Sequence, residues 1–195
     1  MKTEKNAGVS NCYHPTLWRT CRVLANARRL TCLRVVIDFP GTSVAKIAEA
    51  AGIAAPTASI ELRALQARGL IAAHRESRWV RYFPEPDPLV PSAGPVLQAL
   101  TCALEAKEPL ETIMKQVTAF THPRRLLVIK CLQRKSPLDI LSLAAQCKMS
   151  VPAAFRHVRK LVARNIVAHV DDAVALLPQT ATINHALFTL IARNI

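Results

Sequence analysis

The feature that most constrains this chain is an internal repeat. Adding 96 to the residue number carries the stretch 44–70, VAKIAEAAGIAAPTASIELRALQARGL, onto 140–166, ILSLAAQCKMSVPAAFRHVRKLVARNI, without a gap. Ala48 falls on Ala144, Pro56 on Pro152, Ala58 on Ala154, Arg63 on Arg159, Leu65 on Leu161, Ala67 on Ala163 and Arg68 on Arg164. Conservative pairs fill the gaps: Ile47 with Leu143, Ile53 with Met149, Leu62 with Val158, and Leu70 with Ile166. The match reaches upstream, where Arg28-Arg29-Leu30 falls on Arg124-Arg125-Leu126, and downstream, where Ala72 falls on Ala168. So many pairs at one offset mark a repeat, and a period this long means two copies of a small domain rather than a solenoid.

Within one copy, the spacing predicts a helix, a tight turn and a second helix. Ile47, Ala48 and Ala51 make one apolar face. Gly52 supplies a turn position where positive φ costs little. Pro56 suits the first turn of a new helix, because its missing N–H would be an unpaired donor there anyway. Ala58, Leu62 and Leu65 continue the second helix, which Arg68-Gly69 closes with a cation and a left-handed cap. Apolar Leu70-Ile71 then opens a different period, the start of a β-wing.

A chain of 195 residues has room for two such domains. With 51% hydrophobic and only 5% aromatic residues, their cores are expected to be aliphatic and helical. The fold class expected is mainly α with small β-wings, as tandem domains over 13–106 and 107–195. No run approaches the roughly 18 apolar residues of a membrane helix. The opening MKTEKNAGVSNC lacks the apolar segment of a secretory signal, so a cytoplasmic location and no membrane partner are expected. The six cysteines form no CxxC pair, which argues against a zinc ribbon or disulfide framework and for reduced thiols.

The net charge of +13 is unevenly placed. Residues 25–83 carry nine Lys/Arg against four Asp/Glu, and residues 121–179 carry ten against three. The connecting stretch 84–120 has two against five. Basic repeats joined by an acidic connector point to a polyanion met by the repeats themselves.

In chain order, helices are expected over 15–24, from 26 or 27 onward, over 95–106, 110–120 and 123–134, and over about 182–192, besides the two helix-turn-helix pairs. Leu30, Leu33, Val36 and Ile37 should face inward on the second helix, with Arg28, Arg29 and Arg34 outward. Residues 38–43, with Pro40-Gly41, read as a turn. The segment AAHRESRWVRYFPEPD reads as a β-hairpin turning at Arg75-Glu76-Ser77-Arg78, and a shorter hairpin is expected around Asp171-Asp172.

Each repeat resembles a winged-helix domain of the ArsR-type bacterial transcriptional regulators. His122-Pro123-Arg124-Arg125-Leu126 followed by Val128-Ile129 is similar to that family's opening HPxRLxIL pattern, and Asn26-Ala27-Arg28-Arg29-Leu30 is a looser version. Gly52-Ile53, Pro56-Thr57-Ala58-Ser59, Leu62-Arg63-Ala64-Leu65 and Gly69-Leu70-Ile71 resemble its recognition-helix region, and Arg78-Trp79-Val80-Arg81-Tyr82 its wing. The resemblance covers roughly 13–106 and, more loosely, 110–192. It implies a sequence-specific DNA-binding transcriptional regulator, a repressor, with double-stranded DNA as partner. Members of that family are usually single-domain homodimers joined through terminal helices. Two units in one chain therefore imply an intrachain pseudo-dimer, with further homo-dimerisation left open.

An α-helix fits the major groove, and its N-terminal residues meet base edges. The residues expected to face DNA are Thr57, Ser59, Ile60 and Arg63 in the first copy, and Arg156, His157, Arg159 and Lys160, beside Ala153, in the second. Arg75 and Arg78 should stand at the first wing's tip, where the second wing carries Asp171 and Asp172. Glu61 departs from a basic helix face; it either accepts from a cytosine amino group, pairs with an arginine, or is solvated. From Phe155 to Arg164 the charges are Arg156, Arg159, Lys160 and Arg164 without an acid, whereas a merely solvated helix mixes signs.

No metal or other cofactor is expected. Cys12, His14 and Cys21 are the one conceivable ligand set, with ordinary core or surface roles the simpler account. Cys32 and Cys131 should lie in the core. No Gly-rich phosphate loop, nucleophile elbow, HExxH or paired-carboxylate pattern occurs, so an enzyme is not expected. The rival to a DNA reader is a winged helix that binds protein instead.

Overall fold

The computed structural model describes residues 16–194. Cys12 and His14, and the expected helix start at residue 15, lie outside the described residues. The first run of elements is α1 (Leu17–Leu24), α2 (Ala27–Asp38), β1 (Thr42–Ser43), α3 (Val44–Ala50), α4 (Ala55–Gln66), β2 (Ala72–Glu76), β3 (Trp79–Phe83) and α5 (Ala93–Glu105). The second run repeats that order: α6 (Leu110–Thr118), α7 (Pro123–Arg134), β4 (Leu138–Asp139), α8 (Ile140–Gln146), α9 (Val151–Val162), β5 (Val167–Val170), β6 (Ala173–Leu176) and α10 (Thr182–Asn194). From α2 to α4 every bound recurs 96 residues later in α7 to α9. The offset then slips, because β5 and β6 have four residues each where β2 and β3 have five.

The same local devices set both copies. Asn26 and His122 occupy the N-caps of α2 and α7, accepting from the backbone N–H of Arg29 at 3.0 Å and of Arg124 at 3.1 Å. Prolines sit in the first turns of α4, α7 and α9, where their missing N–H leaves no bond unmade. The turn between the paired helices is left-handed at Gly52 (φ 64°) and again at Lys148 (φ 49°). After the second helix, Gly69 (φ 67°) and Asn165 (φ 56°) share one position; asparagine is among the few other residues that tolerate it. At Gly69 a side chain is also excluded by space, since a Cβ would come within 2.8 Å of Asp87 and 2.9 Å of Val90.

Each copy holds a three-stranded antiparallel sheet, in the order β1-β3-β2 and β4-β6-β5. The edge strand β1 falls within 38–43, where the sequence suggests only a turn, and β4 falls where the sequence suggests no element. Two residues are too few to show a period, and their pairing depends on distant partners: Thr42 with Tyr82, and Leu138 with Val174. In the first wing only Ser77 and Arg78 turn the chain. Arg75 lies in strand β2 opposite Val80, not at the tip as expected. The positive φ of Ser77 (57°) lets two residues close the hairpin, and Asp171 (φ 52°) does the same in the second wing.

The buried residues of both copies form one continuous aliphatic core. The helices flanking each winged unit join them: α5 packs along α10, and α6 packs against α1, α2 and α10. Phe120, fully buried just after α6, meets Phe188 of α10 edge-on with ring centroids 5.9 Å apart. None of the helices among the described residues is long and apolar enough to cross a membrane.

Candidate nucleic-acid interface

The amphipathic period of α4 and α9 separates a buried seam from an outward face. In α4, Ala58, Glu61, Leu62 and Leu65 are buried; in α9, Ala153, Ala154, His157, Val158 and Leu161 are. The outward face of α4 carries Ile60 and Arg63, with Thr57 and Ser59 half-buried beside them. That of α9 carries Phe155, Arg156, Arg159 and Lys160, all exposed. Arg63 Nε donates to the Ser59 carbonyl at 3.2 Å, which lays its guanidinium back along the helix. The side chains of Arg156, Arg159 and Lys160 make no hydrogen bond or ion pair to any described residue, so their charge is offered to solvent.

His157 does not face outward as expected. Its ring is buried and packs against His122 with centroids 4.7 Å apart, and its Nδ1 has no hydrogen-bond partner. The reason is angular: His157 stands three residues after Ala154 and one before Val158, on the buried stripe of a 3.6-residue period. Ala153 is buried as well. Glu61 occupies the same repeat position as His157 and is also inward. Its carboxylate takes the Nε–H of Arg29 at 2.7 Å, and Arg29 donates further to the Val23 carbonyl at 3.0 Å. Glu61 is thus the arginine-paired glutamate among the alternatives, and Arg29 turns inward rather than outward. In the second copy Arg125 has no carboxylate; it donates to the carbonyls of Ala119 (2.7 Å) and Thr118 (2.9 Å) and to the Thr121 hydroxyl.

The histidine pair has a consequence for acid stability. Burial, then the charges of His122, Arg125, Arg124 and Arg156, push the pKa of His157 down to about 4. An unfolded histidine titrates near 6.5, so between these values the unfolded chain binds more protons than the folded one. Stability is therefore full above about pH 6.5 and is lost as the pH falls toward 4. At about 1.4 kcal/mol per pH unit, the loss by pH 5 is on the order of 2 kcal/mol. His157→Gln is expected to shrink the difference between urea midpoints at pH 7 and pH 5; an unchanged difference would place the titration elsewhere.

In the first wing, Arg78 at the tip lies 5.2 Å from the Trp79 ring, and Trp79 is 54% exposed. Arg75 is exposed in the strand, and Arg81 is tied to Glu76 at 2.8 Å. Sequence reasoning missed outward apolar groups: Trp79, read only as part of the wing, and Val151 and Phe155, 39% and 53% exposed on α9. Their signal was position, since Phe155 lies off the Ala154–Val158–Leu161 stripe.

The thiols are core groups for the most part. Cys32 is fully buried, and Cys131, expected in the core, is only partly so. The Cys147 thiol donates to Cys131 Sγ at 3.3 Å, and burial foremost pushes Cys147 up to about 12, so it stays protonated at neutral pH. Among the described residues no three His, Cys, Asp or Glu side chains gather as a metal would require.

The region from His122, the cap of α7, to Ala168 in β5 holds one complete helix-turn-helix with its outward basic helix. Residues 122–168 match the winged helix-turn-helix DNA-binding family. The match spans α7, β4, α8, α9 and the first residues of β5. Its counterpart 96 residues earlier, 26–72, carries the same elements outside the matched span. No curated protein matches the chain.

Proposed function

We propose that the chain is an ArsR-type transcriptional repressor built of two tandem winged-helix domains, 13–106 and 107–195, that pair within one chain to present two recognition helices to DNA. The observation that carries this is the outward face of α9: Arg156, Arg159 and Lys160 exposed side by side with no acid between them. Pairing of the halves is supported by the packing of α5 on α10 and of α1 on α6, in which corresponding helices of the two copies meet. The reader groups are Thr57, Ser59, Ile60 and Arg63 on α4, Arg156, Arg159 and Lys160 on α9, and Arg75 and Arg78 on the first wing. Ile60 and Phe155 suit thymine methyl groups, and the arginines suit phosphate or guanine. His157 acts behind this face, through the packing of α9.

The halves differ in kind. The first has a basic wing and a helix with one outward arginine; the second has the more basic helix and an Asp171-Asp172 tip. Arg63→Ala and Arg159→Ala are each expected to weaken duplex binding by about 1–3 kcal/mol if the guanidinium reads a base. Titration of labelled duplex checks this, and no loss from either variant would move the DNA contact off these helices. Val151 and Phe155, apolar and exposed on the same face of α9, favour the rival protein-binding module; failure of duplex DNA to bind at low salt would select it.

A further inference from the structure

Beside the first unit's N-terminal helix lies an open-sided pocket of about 360 Å³ lined by Trp18, Arg19, Arg22, Val23, Arg29 and Arg68. Four guanidiniums, from α1, α2 and the end of α4, thus converge on one concavity. Arg29 is neutralised by Glu61 at 2.7 Å, and Arg19 lies over the Trp18 ring at 5.1 Å. The side chains of Arg22 and Arg68 have no hydrogen-bond or ion-pair partner among the described residues. Like charges gathered this way repel, and an anion between them removes the repulsion.

The second copy shows what the same place looks like when the protein satisfies it internally. The positions 96 residues on are Met114, Lys115, Thr118, Ala119, Arg125 and Arg164. There Arg164 donates to the Thr118 hydroxyl at 2.8 Å and to the Lys160 carbonyl at 2.9 Å. Arg125 has three oxygen acceptors. Thr118, the group that ties Arg164 down, stands where the first copy has Arg22. The first copy has therefore lost the internal acceptor, gained two arginines (Arg22 for Thr118 and Arg19 for Lys115), and placed a tryptophan where the second has methionine.

We propose that this pocket binds a small phosphorylated ligand bearing a flat ring, of the nucleotide class. Planar guanidiniums match phosphate oxygens in pairs, and Trp18 offers a ring face to a base. The volume suits a ligand of that size. Because Arg29 also holds Glu61 of α4, the occupant touches the recognition helix through one side chain. The site stands whether or not α4 reads DNA.

The test uses the full chain with Trp79→Phe, which leaves Trp18 as the only tryptophan. ADP is added while Trp18 emission is followed, with adenosine, inorganic phosphate and a short duplex as separate arms. Saturable quenching by ADP is expected, with adenosine and phosphate each at least ~10-fold weaker, since each lacks one half of the recognition. Arg22→Thr, which installs the second copy's residue, and Arg68→Ala should each weaken ADP by ~10-fold or more. Lys46→Ala, an exposed cation on α3, should leave it unchanged. The proposal is overturned if ADP gives no saturation below about 1 mM, if Lys46→Ala weakens it as much as Arg22→Thr, or if only the duplex quenches Trp18.

Discussion

Phe120→Ala is expected to lower the unfolding free energy by about 3–5 kcal/mol, the range for deleting a buried aromatic ring. Phe120 is fully buried where α6 ends, and its ring meets Phe188 of α10 at an interplanar angle of 78°. Truncation removes both the burial and the edge-to-face contact, and the space left lies in a close-packed core, which resists collapse. Its counterpart in the first copy, Leu24, is also fully buried, so each half buries a large side chain at the corresponding position. For a domain whose whole stability is roughly 5–15 kcal/mol, such a loss leaves little margin. Urea denaturation followed by far-UV circular dichroism measures it. A change under about 1 kcal/mol would mean that this corner is not the packed junction described.

Glu61→Gln is the second large effect, at about 3 kcal/mol. Breaking a buried ion pair by removing one partner costs roughly 3–5 kcal/mol, because the remaining charge keeps its desolvation and loses its partner. The low end applies here, since Arg29 is 20% exposed at its side chain and retains the Val23 carbonyl. The double variant Arg29→Met with Glu61→Leu should be less destabilised than Glu61→Gln alone, as no buried charge is then left unpaired. If the double variant were the worse of the two, packing rather than the ion pair would hold α4 to α2.

Those two residues also mark the limit of what the sequence discloses. The recurrence at 96 residues placed α2, α3, α4, α7, α8 and α9, since apolar spacing and first-turn prolines act locally. The outward arginines and Lys160 were legible for the same reason. The inward placement of Glu61 and His157 was not: the sequence leaves Glu61 open between a base, an arginine and solvent, and His157 is expected outward, although their spacing from Ala58–Leu62 and Ala154–Val158 sets both on the buried stripe. The chemistry that makes an inward glutamate affordable is Arg29, which is 32 residues away and itself looks like a surface charge. Likewise β1 and β4 exist only through partners some forty residues on, and Arg75 moved off the wing tip because Ser77 accepts a left-handed φ. The Arg22 pocket is written in the difference between the copies, not in their likeness, and no single-copy pattern reveals it.

The central claim is that the basic outward faces of α4 and α9 bind duplex DNA. Affinity for a random-sequence duplex, measured by fluorescence anisotropy across a salt series, tests it most directly. The account predicts tight binding at low salt and a linear fall of log affinity with log salt. With about six phosphate contacts, the loss between 50 and 200 mM is on the order of 10³-fold. No binding at low salt, or affinity that stays level as salt rises, would contradict it.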